Sequence, residues 1–380
     1  MQVCIVYDCL YPYTVGGAER WYRNIAERVA ARGEEVTLLT LRQWQGNVPS
    51  VPGVRVVSAG PRMSLYTSSG RRRLLPPVVF ALGVLVHLLR HGRRYDVVHT
   101  ASFPYFPLLV IAAARRACGF RVVVDWHEVW TRDYWRSYVG SLGGLIGWWV
   151  QGLCLRVRQR AFCFSVLHER RLRELGLEAP LTRLEGQYDL DTEQYRPQPL
   201  EPVVLFAGRH IPEKRPAAVV PAVVAAKTDI PDLRAEIFGD GPERSNVLAA
   251  IAELGAGSYV SAPGFVDGAT LEKRLSTALC VVLPSSREGY GRIVVEAAAR
   301  GVPTVVVAGP DNAATELMEE GVNGTVAPSA GPDDLAGAIV RIYRAGGELR
   351  DSTLEWFRRN APRLSLEPSV AQILEAYASA

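Results

Sequence analysis

The sequence predicts an α/β protein made of two doubly wound domains in tandem, each built on a parallel sheet. Short apolar runs without polar alternation recur between helical stretches, from residues 3–7 near the start to residues 304–308 late in the chain. Continuous apolar strands of this kind are typical of parallel sheets that helices cover on both faces. The alternation of predicted strands and helices stops over residues 185–202 and then begins again. A chain of 380 residues is also long enough to form two hydrophobic cores.

The first half alternates predicted strands and helices. A helix is predicted over residues 18–31, because its apolar side chains recur at steps of three and four residues and share one face. Those side chains are Ala18, Trp21, Tyr22, Ile25, Ala26 and Val29. Gly33 lies where a glycine commonly ends a helix. Strands are predicted at residues 36–40, 54–57, 97–100, 121–125 and 162–166.

The second half repeats the pattern after a proline-bearing linker. Strands are predicted at residues 203–208, 234–239, 259–261, 279–284 and 304–308. We therefore expect a first domain over residues 1–185, a linker over 186–202 and a second domain over 203–362. A helix in residues 363–380 could pack back toward the first domain. Two doubly wound domains imply a cleft, with ligands at the carboxyl ends of the strands.

The composition is that of a globular protein in a reducing compartment. Six cysteines are scattered without a CxxC pair, which favours free thiols over a disulfide framework or a zinc site. No basic segment precedes the first apolar run, so we expect no signal peptide and a cytoplasmic location.

Charge is divided between the halves. Residues 1–200 hold 26 arginines and no lysine against 16 acidic residues, a net charge of +10, whereas residues 201–380 carry −6. A basic half favours an anionic partner such as phosphate, nucleic acid or lipid headgroups. A biased use of arginine over lysine explains the same excess, and both interpretations stay open.

The clearest chemical motif is the segment from Glu288 to Glu296. A predicted strand leads into a turn with Gly289 and Gly291, which opens a helix predicted to run to about Arg300. Unpaired amides at a helix start bind anions, and glycines let the backbone approach a ligand closely. The two glutamates are eight residues apart, about 2.2 helical turns, and could face one ligand from opposite ends. Solvated glutamates on an ordinary strand–turn–helix are the alternative.

A second motif places two cations near one strand end. Gly208 and Arg209 end the first strand of the second domain, and Lys214 follows at the next predicted helix start. A diphosphate leaving group is well held by one forked and one point-like cation. The adjacent Arg215 keeps open the alternative that this basic pair is ordinary surface.

Together these motifs resemble the family-four retaining glycosyltransferases of the group 1 type. The resemblance also includes the turns at residues 239–242, 263–264 and 301–303, and residues 16–19 in the first domain. It covers nearly the whole chain and is most specific over residues 203–328. The fold that it implies is GT-B, in which two Rossmann-like domains with parallel sheets face a central cleft.

The resemblance implies a role for each matching residue. Arg209 and Lys214 would bind the diphosphate, and Glu288 would hold hydroxyls of the donor sugar. The remaining donor contacts would come from Gly289, Tyr290, Gly291, Arg292 and Ile293 for sugar and phosphate, Glu296 for the ribose, Gly264 and Phe265 for the base, and Gly16 and Gly17 in the first domain. His127, which follows a predicted strand, matches a histidine that contacts the donor sugar, although it could be only structural.

The implied mechanism is front-face transfer with retention of configuration. The departing phosphate oxygen would take the acceptor proton while Arg209 and Lys214 stabilise the developing charge. The nucleotide sugar is then a substrate, and no cofactor or metal ion is expected. We interpret Asp189-Leu190-Asp191 in the linker as turn residues and not as a metal site.

The acceptor would contact the first domain. Five tryptophans within residues 126–149 suit sugar rings or a lipid boundary, although large aromatics are also ordinary core residues. Two apolar stretches, residues 76–89 and 139–155, are flanked by arginines and are shorter than the roughly 20 residues of a membrane-spanning helix. They indicate either peripheral attachment to anionic lipid on the inner face of the cell membrane or helices that cover the sheet.

The sequence favours transfer of a hexosyl unit, from UDP-hexose on frequency alone, to a hydroxyl of a glycan or lipid-linked acceptor. A soluble small-molecule or natural-product acceptor is the alternative. From other classes, a GT-B-fold sugar-nucleotide epimerase or a non-catalytic nucleotide-sugar binder stays open. No nucleic-acid partner is expected, because the arginines form no recognisable binding module.

Overall fold

The computed structural model describes residues 1–65, 67, 73, 75–189 and 200–379. These residues form two compact units. The first unit holds the described residues of 1–185 together with 367–379, and the second holds 186–189 and 200–366.

The first unit is built on a seven-stranded parallel sheet. Its strands are β1 (Gln2–Val6), β2 (Glu35–Thr40), β3 (Val54–Ser58), β4 (Val97–Ala101), β5 (Arg121–Trp126), β6 (Arg160–Cys163) and β7 (Leu181–Arg183). They lie in the order β3-β2-β1-β4-β5-β6-β7, so the chain winds in opposite directions from β1. The doubly wound parallel sheet predicted for this half is confirmed.

Five helices connect these strands. They are α1 (Gly17–Ala31), α2 (Leu75–His91), α3 (Tyr105–Cys118), α4 (Arg132–Leu155) and α5 (Val166–Glu174). The α1 helix buries the stripe expected from its periodicity and ends before Gly33, whose φ of 90° suits glycine. The strand predicted over residues 162–166 is wrong at its end. Ser165 accepts a hydrogen bond from the amide of His168 and so caps α5 instead.

The second unit repeats the architecture with six parallel strands. They are β8 (Val203–Ala207), β9 (Arg234–Phe238), β10 (Val260–Gly264), β11 (Cys280–Leu283), β13 (Thr304–Val307) and β15 (Gly324–Ala327). Their order is β10-β9-β8-β11-β13-β15, so the winding direction changes between β8 and β11. A small parallel pair, β12 (Arg287–Glu288) with β14 (Asp311–Asn312), lies apart from this sheet.

The helices of the second unit are α6 (Val219–Ala226), α7 (Arg244–Glu253), α8 (Gly268–Thr277), α9 (Arg292–Ala298) and α10 (Pro332–Leu364). The α10 helix is broken at Gly346, where φ is 58°. Buried valines, alanines and isoleucines of α6 and α10 pack with the strands into one core. Parallel strands covered in this way explain the uninterrupted apolar runs of the sequence.

The segment after β7 joins the second unit. The hydroxyl of Tyr188 accepts a hydrogen bond of 2.8 Å from Arg300, and Tyr188 forms a bridge with Ser365. Leu190 and Asp191 of the predicted turn, together with the rest of residues 190–199, lie outside the described residues.

A last helix, α11 (Leu366–Ser379), returns the chain to the first unit from Glu367 onward. The carboxylate of Glu367 pairs with Arg28 and Arg32 at the end of α1. At the other end of α11, Tyr377 is fully buried and its hydroxyl lies 2.7 Å from Nδ1 of His99 on β4. This helix is therefore part of the core of the first unit.

The α2 helix and the short turn after it make an apolar segment, Leu75–Arg94, that is long enough to cross a membrane by length and composition. The sequence estimate of a shorter stretch is wrong, because the helix continues into a 3₁₀ turn at Gly92–Arg94. One side of α2 is nevertheless part of the core, with Phe80, Ala81, Val84 and Leu88 buried. A helix half buried in this way also occurs in the cores of soluble proteins.

Candidate functional site

The switch in winding direction marks where a ligand can enter each sheet. In doubly wound sheets, ligands bind outside the carboxyl ends of the strands at that point. In the second unit the switch lies between β8 and β11. Gly208 and Arg209 directly follow β8, and β11 leads through Ser285 to Glu288 on β12. Two motifs predicted separately therefore emerge from neighbouring strands.

Lys214 and Glu288 form the centre of this candidate site. Lys214 ends a 3₁₀ turn at Pro212–Lys214, and its Nζ contacts Oε1 of Glu288. The Glu288 side chain is only 7% exposed, whereas that of Lys214 is 22% exposed. The buried carboxylate of Glu288 thus restrains the ammonium group of Lys214 to one position.

A backbone hydrogen bond connects the two loops that carry Lys214 and Glu288. The amide of Ser286 donates a hydrogen bond of 2.8 Å to the carbonyl of Glu213, next to Lys214. The loop after β11 is thereby tied to the turn after β8. Arg215, the next residue, has a φ of 48°, a left-handed conformation that is costly for a residue other than glycine.

The helical relation predicted between Glu288 and Glu296 is wrong. Glu288 lies on β12 and Glu296 on α9, with Gly289, Tyr290 and Gly291 in the turn between them. The α9 helix has seven residues and ends at Ala298, short of the predicted Arg300. Because the predicted glycine turn and a short strand separate Glu288 from α9, helical spacing does not describe the two carboxylates.

Gly291 is required by the geometry of this turn. It precedes α9 with a φ of 97° and a ψ of 49°, which glycine adopts without strain. A Cβ atom at Gly291 would lie 2.6 Å from Cβ of Ala314. Tyr290 and Ile293 on either side are both buried. The predicted cradle of amides is thus a tight turn that is buried at Tyr290 and Gly291 and partly exposed at Gly289.

Arg292 and Glu296 pair with each other on α9. Nη2 of Arg292 lies 3.1 Å from Oε1 of Glu296, one helical turn away. Nη1 of Arg292 is buried and has no hydrogen-bond partner among the described residues. The predicted ribose contact of Glu296 would therefore share this carboxylate with Arg292.

The loop that carries Arg209 is clamped by a glycine turn. The backbone amide of His210 donates a hydrogen bond to the backbone carbonyl of Asp240. The backbone amide of Glu243 in turn donates to the backbone carbonyl of His210. A Cβ atom at Gly239 would lie 1.8 Å from the carbonyl oxygen of Gly208. His210 is fully buried here, and burial lowers its pKa. Sequence reasoning missed His210, whose polar ring follows directly on the predicted cation.

Gly264 and Phe265 lie at the carboxyl end of β10, on the same edge of the sheet as Arg209. Gly264 has a φ of 96°, and its carbonyl accepts a hydrogen bond of 2.8 Å from the amide of Gly239. Phe265 is 63% exposed, which is unusual for a large apolar ring. An exposed aromatic face at this edge is available for stacking.

In the first unit, Gly16 and Gly17 begin α1 after the loop from β1. Gly16 is extended, with a φ of −169°, and a Cβ atom there would collide with the Glu19 carboxylate. His127 directly follows β5. Its ring stacks on Phe164 with centroids 4.6 Å apart, and its buried Nε2 has no hydrogen-bond partner among the described residues. Burial lowers the pKa of His127, which keeps its ring neutral at neutral pH.

A buried polar chain supports these first-unit positions, and sequence reasoning missed it. Oδ2 of Asp125 accepts a hydrogen bond of 2.7 Å from Nε1 of Trp21, and Oδ1 lies 2.9 Å from Nε2 of His99. Burial opposes ionisation of Asp125, but His99, His127 and Trp21 together outweigh it and the pKa of the carboxyl is lowered. The chain continues from His99 to Tyr377. Asp125 thereby holds α1 beside β5, the strand that His127 follows.

Among the residues that the structure describes, no group of three or more histidine, cysteine, aspartate or glutamate side chains could hold a metal ion. All six cysteines are free, and burial raises the pKa of Cys4 and Cys280 to about 12.

Two family models match the chain in sequence. Residues 16–184 match the glycosyl transferase 4-like domain, and residues 189–358 match the glycosyl transferases group 1. The two matches follow one another and cover the first and second units in turn.

Curated relatives point to the same group. An alpha-D-kanosaminyltransferase of Streptomyces kanamyceticus is 27% identical over 52% of this chain, and the chain spans about half the length of this first relative (48%). A D-inositol 3-phosphate glycosyltransferase of Thermobispora bispora is 25% identical over 96% of this chain and 90% of its own length.

Solved structures share the fold. Sucrose-phosphate synthase from Thermosynechococcus elongatus has a TM-score of 0.80 at 20% identity, over 99% of this chain and 98% of its own. HepE from Anabaena, in complex with UDP-glucose, has a TM-score of 0.75 at 18% identity over the whole of both chains. The chain therefore has the GT-B fold and belongs to the group 1 glycosyltransferases.

Proposed function

We propose that this protein is a retaining glycosyltransferase that binds a nucleotide-sugar donor on its second unit. The observation that carries the proposal is the contact between Lys214 and the buried Glu288, at the switch point between β8 and β11. This is where a doubly wound sheet binds ligands, and a cation there suits a phosphate.

In the proposed complex, Arg209 and Lys214 hold the diphosphate of the donor. Glu288 holds hydroxyls of the sugar and keeps the ammonium group of Lys214 in place. The backbone of the Gly289–Gly291 turn approaches sugar and phosphate, and the exposed Phe265 stacks on the base. Glu296 contacts the ribose from α9, beside its partner Arg292.

The proposed reaction proceeds on one face of the sugar. The bond between the anomeric carbon and the diphosphate oxygen breaks, and the acceptor oxygen forms its bond from the same side. The departing phosphate oxygen takes the acceptor proton. Arg209 and Lys214 stabilise the negative charge that develops on the phosphate, so we propose that transfer needs no metal ion. In the first unit, His127 contacts the donor sugar as a neutral donor or acceptor of hydrogen bonds.

Lys214→Ala tests this proposal. We expect transfer to fall by about 10²–10³-fold, the usual loss when one stabilising group is removed. Lys273→Ala is the matched control, because Lys273 is an exposed lysine of the same unit on α8. Normal turnover of Lys214→Ala, with both variants melting like the parent, would exclude Lys214 from the reaction.

We propose UDP-hexose as the donor. The support is the structural similarity to HepE, which was solved with UDP-glucose. A thermal-shift panel of UDP, GDP, ADP and dTDP with their sugars, run with and without EDTA, tests the donor and the metal. A shift with GDP compounds alone would replace uridine by guanosine, and loss of the shift in EDTA would contradict metal independence.

For the acceptor, we propose a glycan or lipid-linked molecule at the inner face of the membrane. Five apolar side chains form one exposed stripe along α2, spaced by three and four residues: Leu75, Val78, Leu82, Val86 and Leu89. Arg90 and Arg93 are exposed at the end of this stripe. An apolar face with a basic end suits an anionic lipid surface.

The α4 helix adds to this surface. Leu142, Ile146 and Trp149 are exposed on it, and α3 packs against both α2 and α4. Sedimentation with phosphatidylglycerol vesicles tests the contact. We expect the parent to pellet and Leu82→Asp with Leu89→Asp to stay in solution, while Leu248→Asp, an exposed leucine of α7, pellets like the parent. Parent protein left wholly in the supernatant would contradict the membrane contact.

A soluble small-molecule or natural-product acceptor is the second candidate, favoured by the similarity to D-inositol 3-phosphate glycosyltransferase. It predicts transfer to a soluble cyclitol phosphate such as inositol 3-phosphate in the absence of any lipid. An epimerase or a non-catalytic binder predicts instead that no acceptor-dependent release of nucleotide is measured. Release of UDP that depends on added acceptor separates transfer from both.

A further inference from the structure

The first unit contains a cavity of about 660 Å³ at the amino ends of β1 and β2 and along the edge strand β3. Gln2 and Glu35 begin β1 and β2, and Arg55 lies near the start of β3. This is the edge of the sheet opposite to α1 and His127, which follow the carboxyl ends of β1 and β5. The cavity is therefore separate from the candidate donor site and independent of the proposed function.

Basic and aromatic side chains make up five of the eleven residues that line the cavity. Arg55 and Arg94 contribute two guanidinium groups, and His87 and His91 contribute rings from the last turns of α2. Among the described lining residues, Glu35 contributes the one negative charge, against two positive charges from Arg55 and Arg94. The sign of charge in the lining is thus positive.

The position of the His87 ring is fixed. Its Nε2 lies 2.8 Å from the hydroxyl of Tyr95, the two rings stack at 5.9 Å, and the His91 ring is 5.0 Å away. Burial, His91 and Arg55 lower the pKa of His87 to about 4, in that order of importance.

We propose that this cavity is a binding site for a small phosphate-bearing molecule. Two guanidinium forks bind a phosphate group, and the stacked rings of His87 and Tyr95 with Val36 and Val57 give the remainder of the molecule an apolar wall. A volume of this size is typical of small-molecule sites and exceeds what an inorganic ion needs. The phosphate could belong to a free metabolite or to a lipid headgroup beside α2.

A purely structural explanation predicts something different. Basic residues near the carboxyl end of a helix stabilise it by complementing the helix dipole. Arg93 and Arg94 are consecutive residues just after α2, so both would have this effect. In that case both arginines contribute similarly to stability, and neither affects a ligand. Only Arg94 lines the cavity, although both are exposed. The two neighbours therefore form a matched pair.

The experiment follows the His87 ring by NMR in the full-length protein, with labelled histidine. Glycerol 3-phosphate should shift the His87 resonances and raise the pKa of His87 above about 4, because an anion favours the charged ring. Arg94→Gln should weaken this binding by about tenfold, the effect of losing one charge-assisted hydrogen bond, whereas Arg93→Gln should leave it unchanged. UDP, the proposed ligand of the second unit, is the control and should leave the His87 resonances unchanged.

Two further arms complete the test. Arg55→Gln should raise the pKa of His87 without any ligand, which checks the charge geometry even if Arg94→Gln fails to fold. Vesicles of phosphatidylglycerol, with phosphatidylcholine as the control, should compete with glycerol 3-phosphate if a headgroup fills the cavity and should not compete if the ligand is free. No response of His87 to either phosphate source, or equal weakening by Arg93→Gln and Arg94→Gln, would overturn the proposal.

Discussion

Individual residues in this protein are held by contacts that span long stretches of chain. Lys214 and Glu288 are 74 positions apart, yet their side chains meet because β8 and β11 are neighbours in the sheet. Sequence spacing predicted both residues as functional but not this contact. It also related Glu288 to Glu296 by helical spacing, which is wrong, since no local signal indicated the short β12 strand that carries Glu288.

Gly291 shows how one turn restricts the sequence. Gly291→Ala should lower the free energy of unfolding by about 2–4 kcal/mol, because a Cβ atom there adds backbone strain and overpacks against Ala314. Urea denaturation measures this loss. Gly337→Ala is the control, since its Cβ would meet only the end of Arg341, 3.9 Å away on α10. We expect that control to be neutral or more stable by up to about 1 kcal/mol.

Buried histidines make stability depend on pH. Burial lowers the pKa of His87, His127 and His210 from their usual value of 6.5, to about 4 for His87. The unfolded chain therefore takes up protons below pH 6.5 that the folded chain does not, and the free energy of unfolding should fall as the pH decreases from 6.5 toward 4.

His87→Gln should flatten that decrease by an amount on the order of 1 kcal/mol, reduced from the full shift because His87 is only half buried. Chemical denaturation at a series of pH values measures both slopes. An unchanged slope in the variant would show that folding does not lower the pKa of His87.

At the scale of elements, the buried polar chain from Trp21 to Tyr377 connects α1, β5, β4 and α11. The sequence predicted α1 from its periodicity and the strands from their apolar runs. It left the partners of Asp125 and His99 open, because polar residues inside apolar strands indicate a buried network without naming its members. The helix near the C-terminus was predicted, but its anchor was not.

Tyr377→Phe should destabilise the first unit by about 1–3 kcal/mol, because Nδ1 of His99 would be left buried without its partner. Tyr343→Phe is the control, since Tyr343 is 43% exposed on α10. Unfolding followed by the fluorescence of the buried tryptophans measures the difference. Equal stability of the two variants would contradict an anchoring role for the Tyr377 hydroxyl.

For the whole molecule, the doubly wound topology follows from the sequence more readily than the site does. Apolar runs and helix spacing identify the elements, and general rules of handedness and order then leave few topologies for a parallel sheet. The cavity lined by Arg55 and Arg94 depends on which elements lie side by side in the fold. The local sequence pattern does not contain that information. The exposed Phe265 is also invisible to sequence reasoning, because burial of an aromatic residue is the usual outcome.

The division of charge gives a prediction at this scale. Residues 1–200 carry a net charge of +10, so any binding to phosphatidylglycerol vesicles should weaken as salt rises from about 10 to 500 mM, over which screening shortens from about 30 Å to a few Å. Sedimentation at each salt concentration measures the affinity. Binding that is insensitive to salt would mean that the apolar stripe of α2 acts without the arginines.

The position of α11 in the first unit sets an order of events during synthesis. Residues 367–379 leave the ribosome after the whole second unit, yet they cover His99 and Asp125 in the first. At about 5–20 residues per second, the first unit waits roughly 10–40 s for its last helix. During that interval a slot beside β4 is open to water and to chaperones, and a chain that ends before residue 367 never closes it.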